Sequence, residues 1–192
     1  EAGVRWHVWA AARPPRGDSA PAGRALTRDE QHALLAARTP RDLAMVAVLL
    51  CGLRVGELVR LDVADFDHDT RTLLVRGKGR KQRRVALTST AIAALDAYVA
   101  GGRAGPMFTS RTGESMTVRL VQSSLETIAR RAGVRCTCHD LRRTAITHAL
   151  AAGVPIADVA THVGHASIET TRRYDRPDPL AQSRRVAAAL GG

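Results

Sequence analysis

Lysine is nearly missing from this basic chain. Of its 29 lysines and arginines, all but Lys78 and Lys81 are arginine. Arginine does not release its proton near neutral pH, so only those two lysines are candidates for a basic side chain acting as a proton donor. Cysteine is scarce and odd in number: Cys51 lies in an apolar run, and Cys136 and Cys138 are one residue apart. That excludes a disulfide framework and fits a reducing cytoplasm. Two thiols beside His139, with no second pair, do not make the usual tetrahedral zinc set, so no metal is expected. No unbroken apolar run reaches about 18 residues and no secretory signal opens the chain, so a soluble protein with no membrane contact is expected.

What is present is a chain of 192 residues, about one domain by size, with 45% hydrophobic residues to fill a single core. The formal net charge of +11 and a pI near 11.1 imply a polyanionic partner. For a folded basic domain, nucleic acid is the commonest one.

Residues 1–25 have little periodicity and hold Pro14, Pro15, Gly17, Pro21 and Gly23. They read as a linker, with Val4 to Ala12 as a remnant or last helix of a preceding domain. Residues 26–192 then form the folded domain. Thr27 and Glu30 have the spacing of a capping box, and Thr39-Pro40 opens a helix that is apolar on most sides through Leu50 and so belongs in the core. In the following short segment Arg54 and Glu57 share one helical face opposite Leu58 and Leu61, so their charged pair is expected to lean outward.

Thr72 to Arg76 and Arg83 to Leu87 alternate around Gly77-Lys78-Gly79-Arg80-Lys81, the pattern of a β-hairpin with a basic turn. Arg76, Lys78, Arg80, Lys81, Arg83 and Arg84 would repel one another unless a polyanion lay across them, so DNA is expected there. Met107-Phe108 suggests a third short strand beside the hairpin. Helices are expected over Thr88 to Ala100, from Thr117 to Gly133, from Cys138 to Gly153, over Ile156 to Val163, over Ile168 to Tyr174 and over Leu180 to Leu190. The fold class is thus α+β, mainly α-helical with a small antiparallel sheet.

Residues 139–174 concentrate the chemistry. His139 and Arg142 are three apart, on one face of a helix's first turn, where free N–H groups and the helix dipole favour an anion. Tyr174 supplies an oxygen nucleophile. Tyr98 lacks flanking basic or histidine partners and is a poor one. His162 is expected to pack rather than react.

The series Cys51-Gly52-Leu53-Arg54-Val55-Gly56-Glu57-Leu58, Gly77-Lys78-Gly79-Arg80-Lys81, His139-Asp140-Leu141-Arg142, Val163-Gly164-His165 and Tyr174 resembles the catalytic domain of the tyrosine recombinase family, to which phage integrases belong. Cys51 and Val163 stand where that family more often has threonine and leucine. The resemblance implies a tyrosine recombinase catalytic fold over about Leu26 to Ala189 and DNA strand transfer through a 3′-phosphotyrosine, without metal, ATP or other cofactor. Arg54 and Arg142 would clamp the scissile phosphate, and His165 would add a hydrogen bond to it. His139 would assist proton removal from Tyr174 or bond the phosphate, and Lys78 would protonate the leaving 5′ oxygen.

Glu57 would steer Arg54. Arg143, Arg172 and Arg173 would join the hairpin arginines in facing DNA. Double-stranded DNA and further protomers, four on DNA, are the implied partners, with Leu180 to Leu190 packing on a neighbour. Family members carry a DNA-binding domain ahead of the catalytic one, so residues 1–25 read as what is left of it and weak, salt-sensitive DNA binding is expected. Two other readings remain: a type IB topoisomerase-like enzyme that only relaxes DNA, and a regulator in which Ile168 to Tyr174 is the recognition helix of a helix-turn-helix.

Overall fold

Among the described residues, six of the eight α-helices start at a side-chain hydroxyl. In the computed structural model, Thr27, Thr39, Thr88, Thr117, Thr137 and Ser167 each accept a backbone N–H of the turn that follows. Such caps satisfy donors that a helix start leaves open, each contributing about 1 kcal/mol. They open α1 (Arg28–Leu35), α2 (Pro40–Leu50), α4 (Ser89–Val99), α5 (Val118–Arg131), α6 (Cys138–Ala151) and α8 (Ile168–Arg172), while α3 (Val55–Leu58) and α7 (Ile156–Val163) start at Arg54 and Pro155.

The structure describes residues 23–77, 81–100, 102–175, 183 and 187. The expected linker up to residue 22, Lys78 and Arg80 at the hairpin tip, and almost all of the expected final helix lie outside the described residues.

Helix α2 occupies the centre. Ala44 to Leu49 are all buried, as expected of a helix apolar on most sides, and α4 and α5 bring Ala91, Leu95, Val121 and Leu125 against the same core. A smaller cluster of Ile146, Val159 and Val163 joins α6 to α7, with Tyr174 packed on it. No helix among the described residues is long and apolar enough to cross a membrane.

The sheet has three antiparallel strands in the order β1 (Phe66–Asp67), β2 (Thr72–Arg76), β3 (Gln82–Ala86). Its hairpin is the expected one, but the third strand is not. Phe66–Asp67 fills that place, and the segment containing Met107 and Phe108 makes only isolated bridges, Asp62 to Pro106 and Thr109 to Ser115. Both residues are fully buried, so their apolar character reflects core filling rather than sheet pairing. The register sets Leu73 opposite Val85 and Val75 opposite Arg83. Opposed residues share a face, so Arg83 points the same way as three buried apolar side chains.

The entry of the chain into the domain is pinned to α6. The buried Thr144 hydroxyl accepts the Leu26 N–H at 2.8 Å and donates to the Asp140 carbonyl at 2.7 Å. Thr144→Val keeps the shape but leaves the Leu26 N–H unpaired, and is expected to destabilise the fold by about 1–3 kcal/mol, read as a lower urea midpoint with an unchanged slope.

Candidate active site

The last carbonyls of a helix have no partner within it and are met by basic side chains or by a turn. At the end of α7 the chain turns at Gly164, in the left-handed region with φ 68°. The carbonyls of residues 162, 163 and 164 face three arginines from three different elements. Arg83 of β3 donates to the His162 carbonyl at 2.8 Å. Arg142 of α6 donates to the Val163 carbonyl at 2.8 Å, and Arg54 to those of Val163 at 3.3 Å and Gly164 at 2.9 Å. Arg142 also donates to the Gly52 carbonyl just past α2. A methyl at Gly164 would meet Arg83 Nη1 at 2.9 Å, so the turn requires glycine both for its backbone and for this approach.

One carboxylate sits among these cations. Glu57 is buried, at 5% exposure, and the expected outward-leaning pair is therefore corrected. Its Oε1 accepts from Arg54 at 3.0 Å and from Arg83 at 2.9 Å, and its Oε2 accepts from Arg83 at 2.9 Å and from the Arg54 backbone N–H at 2.9 Å. Leu58 and Leu61 are buried as well, because α3 is one short turn packed against α2 and α5 rather than one with an open face. Burial alone would raise the Glu57 pKa, but the Arg83 and Arg54 hydrogen bonds outweigh it and the net shift is downward. Three guanidiniums against one carboxylate leave two positive charges uncompensated, which is the electrostatic definition of an anion site.

Within that site Arg142 is almost wholly buried, and burial followed by the neighbouring Arg54 lowers its pKa to about 10, so it stays charged at neutral pH. Arg54 is the exposed member, with 44% of its side chain open. The first turn of α6 is not the anion seat that its sequence suggests: Asp140 closes a capping box with Thr137 and takes its N–H at 2.9 Å. Guanidiniums, rather than helix-start amides, carry the positive potential here.

His165 follows the turn. Its Nδ1 lies 2.7 Å from the hydroxyl of Thr171, which is fully buried on α8. Burial first, then Arg142, Arg54 and Arg83, depress its pKa to about 4, so it is neutral at physiological pH. Tyr174, just past α8, places its hydroxyl 3.5 Å from His139 Nε2, its ring stacked 6.2 Å from that of His165 and the Arg143 guanidinium 4.9 Å over its face. Arg54, His139, Arg142, His165 and Tyr174 thus come together from four parts of the chain.

Of the residues expected to face DNA, Arg83 is turned into the cluster with 14% of its side chain exposed. Arg76 pairs with the buried Asp65 at 2.6 Å, Arg84 with Asp67 at 3.1 Å and Arg172 with Glu169 at 3.1 Å, while Lys81 and Arg173 are exposed. Arg83 was legible as an inward residue, since it lies two before Val85 on a strand; Thr171 carried no sequence signal. His162 packs as expected, with Nε2 3.0 Å from the Cys51 carbonyl. Tyr98 has its hydroxyl buried without a partner and stacks on Phe108. The Cys136 and Cys138 thiols are pushed up to about 11, first by burial, and among the described residues no group of three His, Cys, Asp or Glu side chains converges on a metal site.

The sequence profile of the phage integrase family matches residues 24–180. Tyrosine recombinase XerC of Bifidobacterium longum (strain DJO10A) is 36% identical over 160 residues, 74% of this chain and 45% of that protein. Tyrosine recombinase XerD of Mycobacterium tuberculosis (strain H37Rv) is 35% identical over 148 residues, 71% of this chain and 48% of that one. This chain therefore spans about half the length of the curated relatives it matches. Among solved structures, XerA recombinase superposes with a TM-score of 0.74 at 27% identity, over 86% of this chain and 65% of that one. The integrase of mycobacterium phage Brujita gives 0.67 at 29% identity, over 80% and 52%.

Two pH effects follow. His165 titrates near 4 when folded against about 6.5 when free. Between these values the unfolded chain binds the extra proton, so the contribution of neutral His165 to stability is complete above about pH 6.5 and lost as pH falls towards 4; an NMR titration of its ring is expected to show a midpoint near 4. Glu57→Gln leaves buried arginines without their counter-charge and is expected to cost about 3–5 kcal/mol at neutral pH. Because the folded pKa of Glu57 is depressed, that difference from the parent is present above the usual carboxylate range and shrinks as pH falls below it.

Proposed function

The chain belongs to the phage integrase family of tyrosine recombinases, and from that premise we propose that it breaks and rejoins DNA at specific sites through a 3′-phosphotyrosine. The observation that carries this reading is the convergence of Tyr174 and His139 on a cluster of arginines with two charges to spare.

A scissile phosphate seated at Arg54 and Arg142 replaces carbonyl and water acceptors of the two guanidinium groups, whose donors match phosphate oxygens and whose hydrogen bonds strengthen as charge develops on them. His165 is neutral, and its Nδ1 is held by Thr171. With the threonine hydroxyl donating, Nε2 carries the proton and donates to the phosphate. His139 takes the proton of Tyr174 as the phenolic oxygen attacks phosphorus. The bond to the 5′ oxygen then breaks, and that oxygen takes its proton from Lys78, the hairpin lysine flanked by glycines. The adduct keeps the phosphodiester's energy, so a 5′ hydroxyl of another strand reverses the attack without ATP and completes strand transfer. No step draws on a metal or other cofactor.

The partners in this reading are double-stranded DNA and further copies of the protein, four on DNA, with residues 180–190 as the packing element between copies. Arg76, Arg80, Lys81, Arg84, Arg172 and Arg173 serve the DNA backbone, whereas Arg83 serves Glu57. Residues 26–192 act as the catalytic domain and residues 1–25 as a linker leading into it. A DNA substrate in a bacterium places the protein in the cytoplasm, on the nucleoid. A regulator with α8 as recognition helix has little support, since α8 has five residues and its inner face holds His165. Relaxation without exchange draws no support from the recombinase relatives.

The test is covalent trapping on a nicked suicide duplex in the presence of a chelator, read as a shifted protein band on a denaturing gel. The parent is expected to give the band, Tyr174→Phe none, and Lys78→Arg a band forming on the order of a hundredfold more slowly. A band that persists in Tyr174→Phe, or that requires a divalent cation, would contradict the reading.

A further inference from the structure

Arg143 follows Arg142 on α6 but takes no part in the arginine cluster. Its guanidinium lies over the Tyr174 ring, its Nε is buried without a hydrogen-bond partner, and among the described residues it has no ion-pair partner. The chain entering the domain passes close to its Nε. A methyl at Gly23 would stand 3.3 Å from Arg143 Nε and 2.5 Å from Asp140 Oδ1, and the Leu26 bond to Thr144 fixes that path along α6.

An arginine that contacts phosphate on a protein surface keeps its nitrogens wet until DNA arrives. Here the edge nitrogen has given up water without a partner, a cost recovered only by what the rest of the group touches. What it touches is the face of the tyrosine. Tyr174 packs on Ile146, Val159 and Val163 and stacks on His165, but α8 ends two residues before it and its hydroxyl makes one long contact, to His139. The Arg143 cation over its face therefore adds the charged contact that fixes the ring's orientation.

We propose that Arg143 is a positioning residue: it holds the ring of Tyr174 by a cation–π contact in register with His139 and the arginine cluster, with the backbone at Gly23 closing on its Nε. The proposal rests on the reading of Tyr174 as nucleophile. It reassigns Arg143 from a DNA contact to a support for the attacking group, and it makes the path of the entering chain part of what orients the tyrosine.

The experiment uses the full chain labelled with 3-fluorotyrosine. Tyr98 and Tyr174 are its only tyrosines, and Tyr98→Phe assigns the two fluorine resonances. In Arg143→Gln, which keeps a polar chain but loses the cation, the Tyr174 resonance is expected to move and narrow towards that of a free side chain, while Arg143→Lys keeps most of the parent shift. Single-turnover cleavage of the nicked duplex at saturating protein is expected to be about tenfold slower in Arg143→Gln and within about threefold of the parent in Arg143→Lys.

A phosphate contact behaves otherwise. The Gln variant would then leave the fluorine spectrum unchanged, lower the salt slope of DNA binding by about one, and regain the parent rate at saturation. An unchanged fluorine spectrum in Arg143→Gln overturns the proposal whatever the cleavage result. Because that spectrum is read without DNA, a chain that forms no adduct at all would count against the recombinase reading and leave the fluorine result to decide this one.

Discussion

Glu57 holds the centre of this structure. A single buried carboxylate accepts hydrogen bonds from two guanidiniums and a backbone amide, and through Arg54 and Arg83 ties the turn after α2 and strand β3 to the end of α7. Burying such a charge costs several kcal/mol unless every lone pair is met. Here they are met, and the surplus of positive charge is turned to face the same side as Tyr174. The carbonyls at the end of α7, without partners inside the helix, do the complementary work, holding the arginines in place until a ligand takes over the donors of Arg54 and Arg142.

This arrangement separates two jobs that arginine could confuse. Arg83, with 14% of its side chain exposed, is committed to Glu57 and the His162 carbonyl and so shapes the site; buried Arg142 and half-open Arg54 are the pair that exchanges carbonyls for phosphate oxygens in the proposed reaction. Burial first, and then the same cations, keep His165 uncharged, suited to donate one hydrogen bond rather than to compete for protons. His139, exposed and beside the tyrosine hydroxyl, is free to take one. In the proposed reaction, proton transfer and charge stabilisation thus fall to different side chains set by one electrostatic environment.

Much of this was readable in the chain. The threonine caps, the apolar length of α2 and the alternation of the hairpin each rest on local chemistry, and local chemistry survives into the fold. The motif residues Arg54, His139, Arg142, His165 and Tyr174 were likewise legible through family resemblance. What escaped depends on neighbours that sequence does not place side by side. Glu57 lies in a four-residue helix with Arg54 as its cap, and only the approach of Arg83 from β3 and of the turn after α7 shows that this face is covered. Phe66–Asp67 is too short to have strand character of its own and becomes a strand by pairing with β2. Arg83 was hidden by its basic surroundings, though its parity with Val85 betrayed it. Thr171 and Arg143 act through contacts with His165 and Tyr174 that no spacing rule announces.

The central claim is that the surplus charge gathered by Glu57 and the end of α7 is the seat of the scissile phosphate beside Tyr174. The most direct measurement is a crystal structure of the protein with a nicked duplex and orthovanadate, which mimics the five-coordinate phosphorus. The account predicts vanadate bridging the Tyr174 oxygen and the terminal 5′ oxygen, within hydrogen-bond distance of Arg54, Arg142 and His165 Nε2, with Glu57 still bound to Arg83. Vanadate bound elsewhere on the basic surface, with the arginines still held on the α7 carbonyls and Tyr174 free of it, would contradict the account.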